Sequence, residues 1–265
     1  MFGSIGWQAR QMSSSAFRLR PRAIVGFALF VGAAALLSAC GSSASDEPLT
    51  VFAASSLTDV LPAIAEDFTA SGGPEIELSF AGSSALREQL LDGAPADVFI
   101  SASPSIVAEL AQVGLIDGAL SSIARNQLQI AVPTGNPAGV EDISALADND
   151  LFVGLCAREV PCGALGEQLL ESADVVADVD TFEPNARSLL AKVELGEVDV
   201  ALVYSTDVSS SESVEGIELP EGQSAETIYV GVVLTGSEST AADFVSFLAT
   251  EEALERFSED GFGRP

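Results

Sequence analysis

Three times in the first half of the chain, an apolar strand runs into a turn of small residues and then into a helix. The turns are Phe52-Ala53-Ala54-Ser55-Ser56, Phe80-Ala81-Gly82-Ser83-Ser84 and Ile100-Ser101-Ala102-Ser103-Pro104. Strand–helix alternation in series demands a mainly parallel sheet covered by helices, because parallel neighbours can be joined only by a crossover. Each turn also leaves free backbone N–H groups and a hydroxyl at a helix start, an arrangement suited to an anion. Three of them converging in one sheet make a pocket for an oxyanion.

The periodicity fills in the rest. Leu49–Ala53, Ile76–Phe80 and Asp97–Ser101 read as strands. Ser56–Ala70 reads as a helix with Leu57, Val60, Leu61, Ile64 and Phe68 on one face, followed by helices at Ser84–Leu91 and Pro104–Val113. Gln127–Val132 is a strand that ends at the turn cluster Pro133-Thr134-Gly135-Asn136-Pro137, after which the alternation restarts. Strands follow at Leu151–Leu155, Val198–Tyr204 and Thr227–Leu234, with helices at Ala164–Ser172, Asn185–Leu195, Thr240–Ala249 and Glu251–Phe257. The restart predicts a second α/β lobe inserted within the first. Residues 49–126 and 228–265 then form lobe 1 and residues 127–227 lobe 2, joined by two linking strands near 126–132 and 227–233.

Residues 1–40 read as a signal segment, with Arg10, Arg18, Arg20 and Arg22 ahead of an apolar stretch from Ala23 to Leu37. Leu37-Ser38-Ala39-Cys40-Gly41 resembles the lipobox of bacterial lipoproteins, which implies cleavage before Cys40 and its lipidation. An uncleaved membrane anchor is the alternative, and on either reading the remainder lies outside the cytoplasm. Residues 41–48 form a short tether. Cleavage removes four of 11 basic residues and none of 39 acidic ones, leaving a formal charge of −32. That balance excludes a nucleic-acid surface or a polybasic membrane contact as the main function. It also repels small anions at long range, so an anion site must act through close-range dipoles.

Cys156 and Cys162 lie in a compartment that permits disulfides, and they suit a loop staple better than a redox pair or metal site. Their spacing is not Cys-x-x-Cys, and no histidine exists to complete a ligand set. The missing histidine also removes the usual general base, which disfavours a serine hydrolase. Asp59, three residues after Ser56, reads as support for the helix start, and Arg87 and Arg187 as surface ion-pair partners.

Taken in order, Val51-Phe52-Ala53-Ala54-Ser55-Ser56-Leu57-Thr58, Ser79-Phe80-Ala81-Gly82-Ser83-Ser84 and Gly93 to Ala102 closely resemble the molybdate-binding proteins of bacterial ABC transporters. Asn126 to Pro133, Val198 to Tyr204 and Gly261-Phe262 extend the resemblance across residues 49–263. It implies a two-lobe, class II periplasmic-binding-protein fold. Ser56 and Ser83 would hold an oxyanion through side chain and backbone, Ala102 and Ala186 through backbone N–H groups, and Tyr204 through its hydroxyl. The bland readings are helix N-caps for the two serines and a half-buried core position for Tyr204. The resemblance further implies a monomer that carries molybdate and tungstate to the membrane permease of an ABC importer, without a cofactor or any chemistry on the ligand. Sulfate or another tetrahedral oxyanion is the alternative cargo, and a scaffold lipoprotein with a vestigial cleft is a third reading.

Overall fold

β1 (Leu49–Ala54) is apolar without alternation, and it is correspondingly covered on both faces. The structure, a computed structural model, describes residues 47–219 and 223–265. The signal segment, Cys40 and residues 41–46 of the tether lie outside the described residues. After β1 the chain makes one 3-10 turn at Ser55–Leu57, and α1 (Leu61–Ala70) starts only at Leu61. The single helix expected over Ser56–Ala70 is therefore two pieces. Pro62 gives the reason: its ring would clash with the carbonyl of Thr58 in a continuous helix, but it fits a first turn. The expected apolar face survives the break, with Leu57, Val60, Leu61, Ile64 and Phe68 all buried.

β2 (Ile76–Ala81), α2 (Ser83–Leu91), β3 (Val98–Ser101) and α3 (Pro104–Gln112) complete the first series. β2 and β3 pair with β1 in parallel, on its two sides. β4 (Ile116–Pro133) is far longer than the strand expected at Gln127–Val132. The second series is β5 (Val153–Cys156), α4 (Pro161–Ser172), β6 (Thr181–Glu183), α5 (Ala186–Glu194) and β7 (Val200–Tyr204). β6 and β7 pair in parallel with β5. A short α6 (Ser205–Ser209) and β8 (Val214–Ile217) lead to β9 (Glu226–Leu234), and α7 (Ser239–Phe247) and α8 (Glu251–Glu259) close the chain.

The strand order β2-β1-β3-β9-β4-β7-β5-β6 places two parallel cores on either side of the antiparallel pair β9 and β4. Each core has its own hydrophobic interior. One gathers Leu128, Val153, Leu189, Val200 and Leu202, and the other Val51, Leu61, Ile64, Val98 and Phe244. β4 changes partner where the lobes meet. Up to Gln127 it pairs with β9, and from Leu128 it pairs with β7, Leu128 opposite Tyr204.

The C-terminus fastens this crossing. Arg125 and Gly263 exchange two backbone hydrogen bonds, of 2.7 and 3.0 Å. Phe262 stacks edge-on against Tyr229 and Phe257, with ring centroids 5.5 and 5.7 Å away. Gly261 sits at φ 87°, which a residue with a Cβ adopts only under strain. Burying an aromatic ring such as Phe262 is worth roughly 2 kcal/mol or more, so the last residues hold the hinge strand and the Tyr229 ring together.

Candidate functional site

The turns that follow the parallel strands all open on the crevice between the lobes, where open α/β sheets place their ligands. There they enclose a small cavity of about 240 Å³, open mouth included. Its walls are Ala54–Ser56, Gly82, Ser83 and Ala102 from the first lobe, and Val160–Cys162, Asn185, Ala186 and Tyr204 from the second. Ser56, Ser83, Ala102, Ala186 and Tyr204, far apart in sequence, thus line one space.

Neither serine is spent on its own helix. Ser83 is the first residue of α2, and the capping position is Gly82, which has no side chain to offer. Instead the Ala102 N–H donates to Ser83 Oγ at 3.1 Å. Ser56 Oγ lies 2.6 Å from the Tyr229 hydroxyl, across 173 residues of sequence. Asn185 caps α5 by accepting the Ser188 N–H at 2.9 Å, which leaves Ala186 at the first helical position against the cavity.

Tyr204 is 2 % exposed, and its hydroxyl has no hydrogen-bond partner. An orphaned buried hydroxyl costs about 1–3 kcal/mol, so a ligand that engaged it would recover that loss. Burial, then the neighbouring Tyr229 and Asp207, pushes its pKa well up, so it stays a protonated phenol able to donate. One stretch of wall lay beyond sequence reasoning: the start of α4, at Pro161 and Cys162. The sequence placed this helix from Ala164, and Pro161 in its first turn was the available signal. Cys162 is bridged to Cys156 at the end of β5, so the disulfide ties that helix start to the sheet.

The lobes touch around the cavity. Ser84 Oγ donates to the Glu159 carbonyl at 2.7 Å. Arg187 pairs with Asp59 of the first lobe and, at 2.8 Å, with Asp207 of the second. The second contact is a close ion pair in which Arg187 Nε and Asp207 Oδ1 do not form a well-aligned hydrogen bond. Asp207 is fully buried, and burial pushes its carboxyl up to about 6 against the pull of the Arg187 guanidinium. Two expectations change here. Asp59 does not support its own helix start but bridges the lobes, and one of Arg187's two partners is buried rather than superficial. Arg87 does pair at the surface, with Glu88 and Glu109. Arg187, next in sequence to the cavity-lining Ala186, is therefore committed to two carboxylates, and no basic side chain is among the residues that line the cavity. What faces the cavity is a set of neutral donors and helix starts, each carrying about half a positive charge.

A closed crevice between two α/β lobes, lined by neutral donors at strand–helix turns, is the architecture of a solute-binding protein. The model of the bacterial extracellular solute-binding protein family matches residues 49–263, and the chain belongs to that family. It is 31 % identical to the molybdate-binding protein ModA of Mycobacterium tuberculosis H37Rv over 86 % of this chain and 89 % of the relative. Among solved structures, the periplasmic molybdate-binding protein of Azotobacter vinelandii superposes with a TM-score of 0.72 at 18 % identity, covering 82 % of this chain and 99 % of that one. The sulfate-binding protein SubI of M. tuberculosis H37Rv superposes at 0.73 and 18 % identity, over 81 % of this chain and 86 % of that one. The two superpositions bear on the fold alone.

Proposed function

We propose that this protein captures molybdate, and tungstate with it, as the bare dianion in the cavity between the lobes. Ser56 and Ser83 bind through hydroxyl and backbone, Ala186 through its backbone N–H and Tyr204 through its hydroxyl, while the Ala102 N–H, expected to reach the ion itself, donates to Ser83 Oγ and turns that hydroxyl's hydrogen toward the ion. Residues 49–126 with 228–265 and residues 127–227 move as two bodies about the β4–β9 crossing, and the closed form delivers the ion to the permease of an ABC importer. The chain works as a monomer tethered outside the cell by lipidated Cys40.

The observation that carries the reading is the buried, unpartnered Tyr204 hydroxyl on a cavity that two serines and two helix starts also line. The 31 % identity to a molybdate-binding protein supports the choice of ion. Calorimetry of the mature domain with molybdate, tungstate, sulfate and phosphate tests it. Tight binding of the first two is expected. Heat with sulfate alone would replace the cargo, and no heat with any of the four would leave a scaffold.

A further inference from the structure

Ser56 can serve an anion only if its hydroxyl hydrogen points into the cavity, and a hydroxyl turns freely unless a neighbour fixes it. The neighbour here is Tyr229, buried without exposed surface at the lobe crossing and itself held by Asn126. The chain of contacts has a readable direction. Asn126 Oδ1 accepts the Gln127 N–H at 2.9 Å, and a backbone N–H can only donate. Ser205 Oγ donates to the same oxygen at 3.2 Å. The amide nitrogen of Asn126 is therefore turned the other way, and it too can only donate. Its two hydrogens go to Thr206 Oγ1 at 2.8 Å and to the Tyr229 hydroxyl at 3.4 Å. Having accepted there, the Tyr229 oxygen has one remaining partner for its own hydrogen, Ser56 Oγ at 2.6 Å. Ser56 then accepts from behind and offers its hydrogen to the cavity. Burial raises the Tyr229 hydroxyl far above its ordinary range, so the relay keeps its proton. Ser83 is set in the same sense by the Ala102 N–H.

We infer that Asn126 and Tyr229 are positioning residues that lock Ser56 as a hydrogen-bond donor and thereby make the cavity discriminate against protonated oxyanions. Two donor-locked hydroxyls turn a hydrogen rather than a lone pair toward the cavity, which opposes the hydrogen of hydrogen phosphate, whereas molybdate and tungstate have only acceptor oxygens. Hydrogen phosphate and molybdate carry the same charge at mildly alkaline pH, so proton polarity rather than Coulomb attraction separates them. This inference rests on the oxyanion reading of the same cavity.

The test compares molybdate with phosphate, phosphate being measured by displacement of molybdate, on the wild-type domain and on Tyr229→Phe and Asn126→Asp. Tyr229→Phe keeps the ring and its packing but frees Ser56 to rotate. Molybdate affinity should fall roughly tenfold, the worth of one oriented hydrogen bond to a charged group. Phosphate should weaken less or bind more tightly, so that the selectivity ratio drops about tenfold. Asn126→Asp replaces the donor by an acceptor, draws the Tyr229 hydrogen away from Ser56 and should lower the ratio further. The charge it adds acts equally on two dianions and leaves their ratio untouched. A parallel loss for both anions, or an unchanged ratio in both variants, would overturn the inference by reducing Tyr229 to a packing role. Should neither variant fold, NMR of the wild-type domain decides, through the slowly exchanging Tyr229 hydroxyl proton. A nuclear Overhauser contact to the Ser56 side chain and a shift on adding molybdate support the relay, and their absence overturns it. If the wild type binds no tetraoxoanion, the oxyanion reading fails first, which separates the two outcomes.

Discussion

Tyr204 sets out the energetics of the site in one side chain. In the absence of an anion its hydroxyl is a liability, buried and unpartnered, while its ring packs edge-on to Tyr229 at 6.2 Å. Tyr204→Phe removes the liability and keeps the ring. The ligand-free domain should melt at the same temperature or slightly higher, and molybdate affinity should fall about tenfold, read by differential scanning and titration calorimetry. A core tyrosine with no ligand role would leave the affinity alone. Ser56 and Ser83 were legible as helix-start hydroxyls because each follows an apolar strand in a turn of small residues, whereas Tyr204 read locally as a core position and gained a ligand role only from family resemblance. Ala102 and Ala186 came only from family resemblance, since any residue supplies an N–H. Tyr229 and Asn126 were invisible as a pair. Their bonds to Ser56 and Thr206 span 173 and 80 residues, and such contacts leave no local pattern.

At the scale of elements, the helix starts decide how far the crevice can shut. Gly82, just before α2, has φ −59°, which any residue adopts, so its backbone does not ask for glycine. The space does: a Cβ there would meet the Pro184 carbonyl oxygen at 2.7 Å, across the crevice. Gly82→Ala should therefore leave the fold and melting temperature of the open protein intact and weaken anion binding by blocking closure. Small-angle scattering with saturating molybdate would show a larger radius of gyration than wild type. The short α6 carries a second test through Asp207. Its carboxyl titrates near 6 when folded and near 3.8 when free, so the folded state holds the extra proton between those values. Its contribution to stability is present in full below about pH 4 and is lost as pH rises through about 6. Asp207→Asn should flatten that part of the melting temperature against pH, measured side by side with wild type. The long strands and amphipathic helices of both series were legible from periodicity. The first half of β4 was not, because Ile116–Ser122 is largely exposed, has no regular alternation of apolar and polar residues, and is held as a strand by pairing with β9. β6 and β8, three and four residues long, are likewise set by their neighbours.

Across the whole molecule, the two-lobe plan followed from the restart of the alternation after Pro137, and a change of partner within one long strand replaces the simple link expected there. The chain carries 39 acidic against 11 basic residues, and Arg187, next in sequence to the cavity-lining Ala186, is already committed to Asp59 and Asp207. Nothing in that arrangement draws a dianion in from a distance. Attraction begins only within reach of the donors, inside a Debye length at ordinary salt, about 8–10 Å. Capture and retention should therefore respond differently to ionic strength. In stopped-flow mixing, added sodium chloride should speed molybdate association by screening the repulsive field, the reverse of the behaviour of a site steered by cations. Dissociation, governed by contacts sealed within the closed crevice, should barely change. On the proposed reading, the neutral cage should capture its anion fastest in brine and slowest in fresh water, with the waiting time set by the approach rather than by the grip.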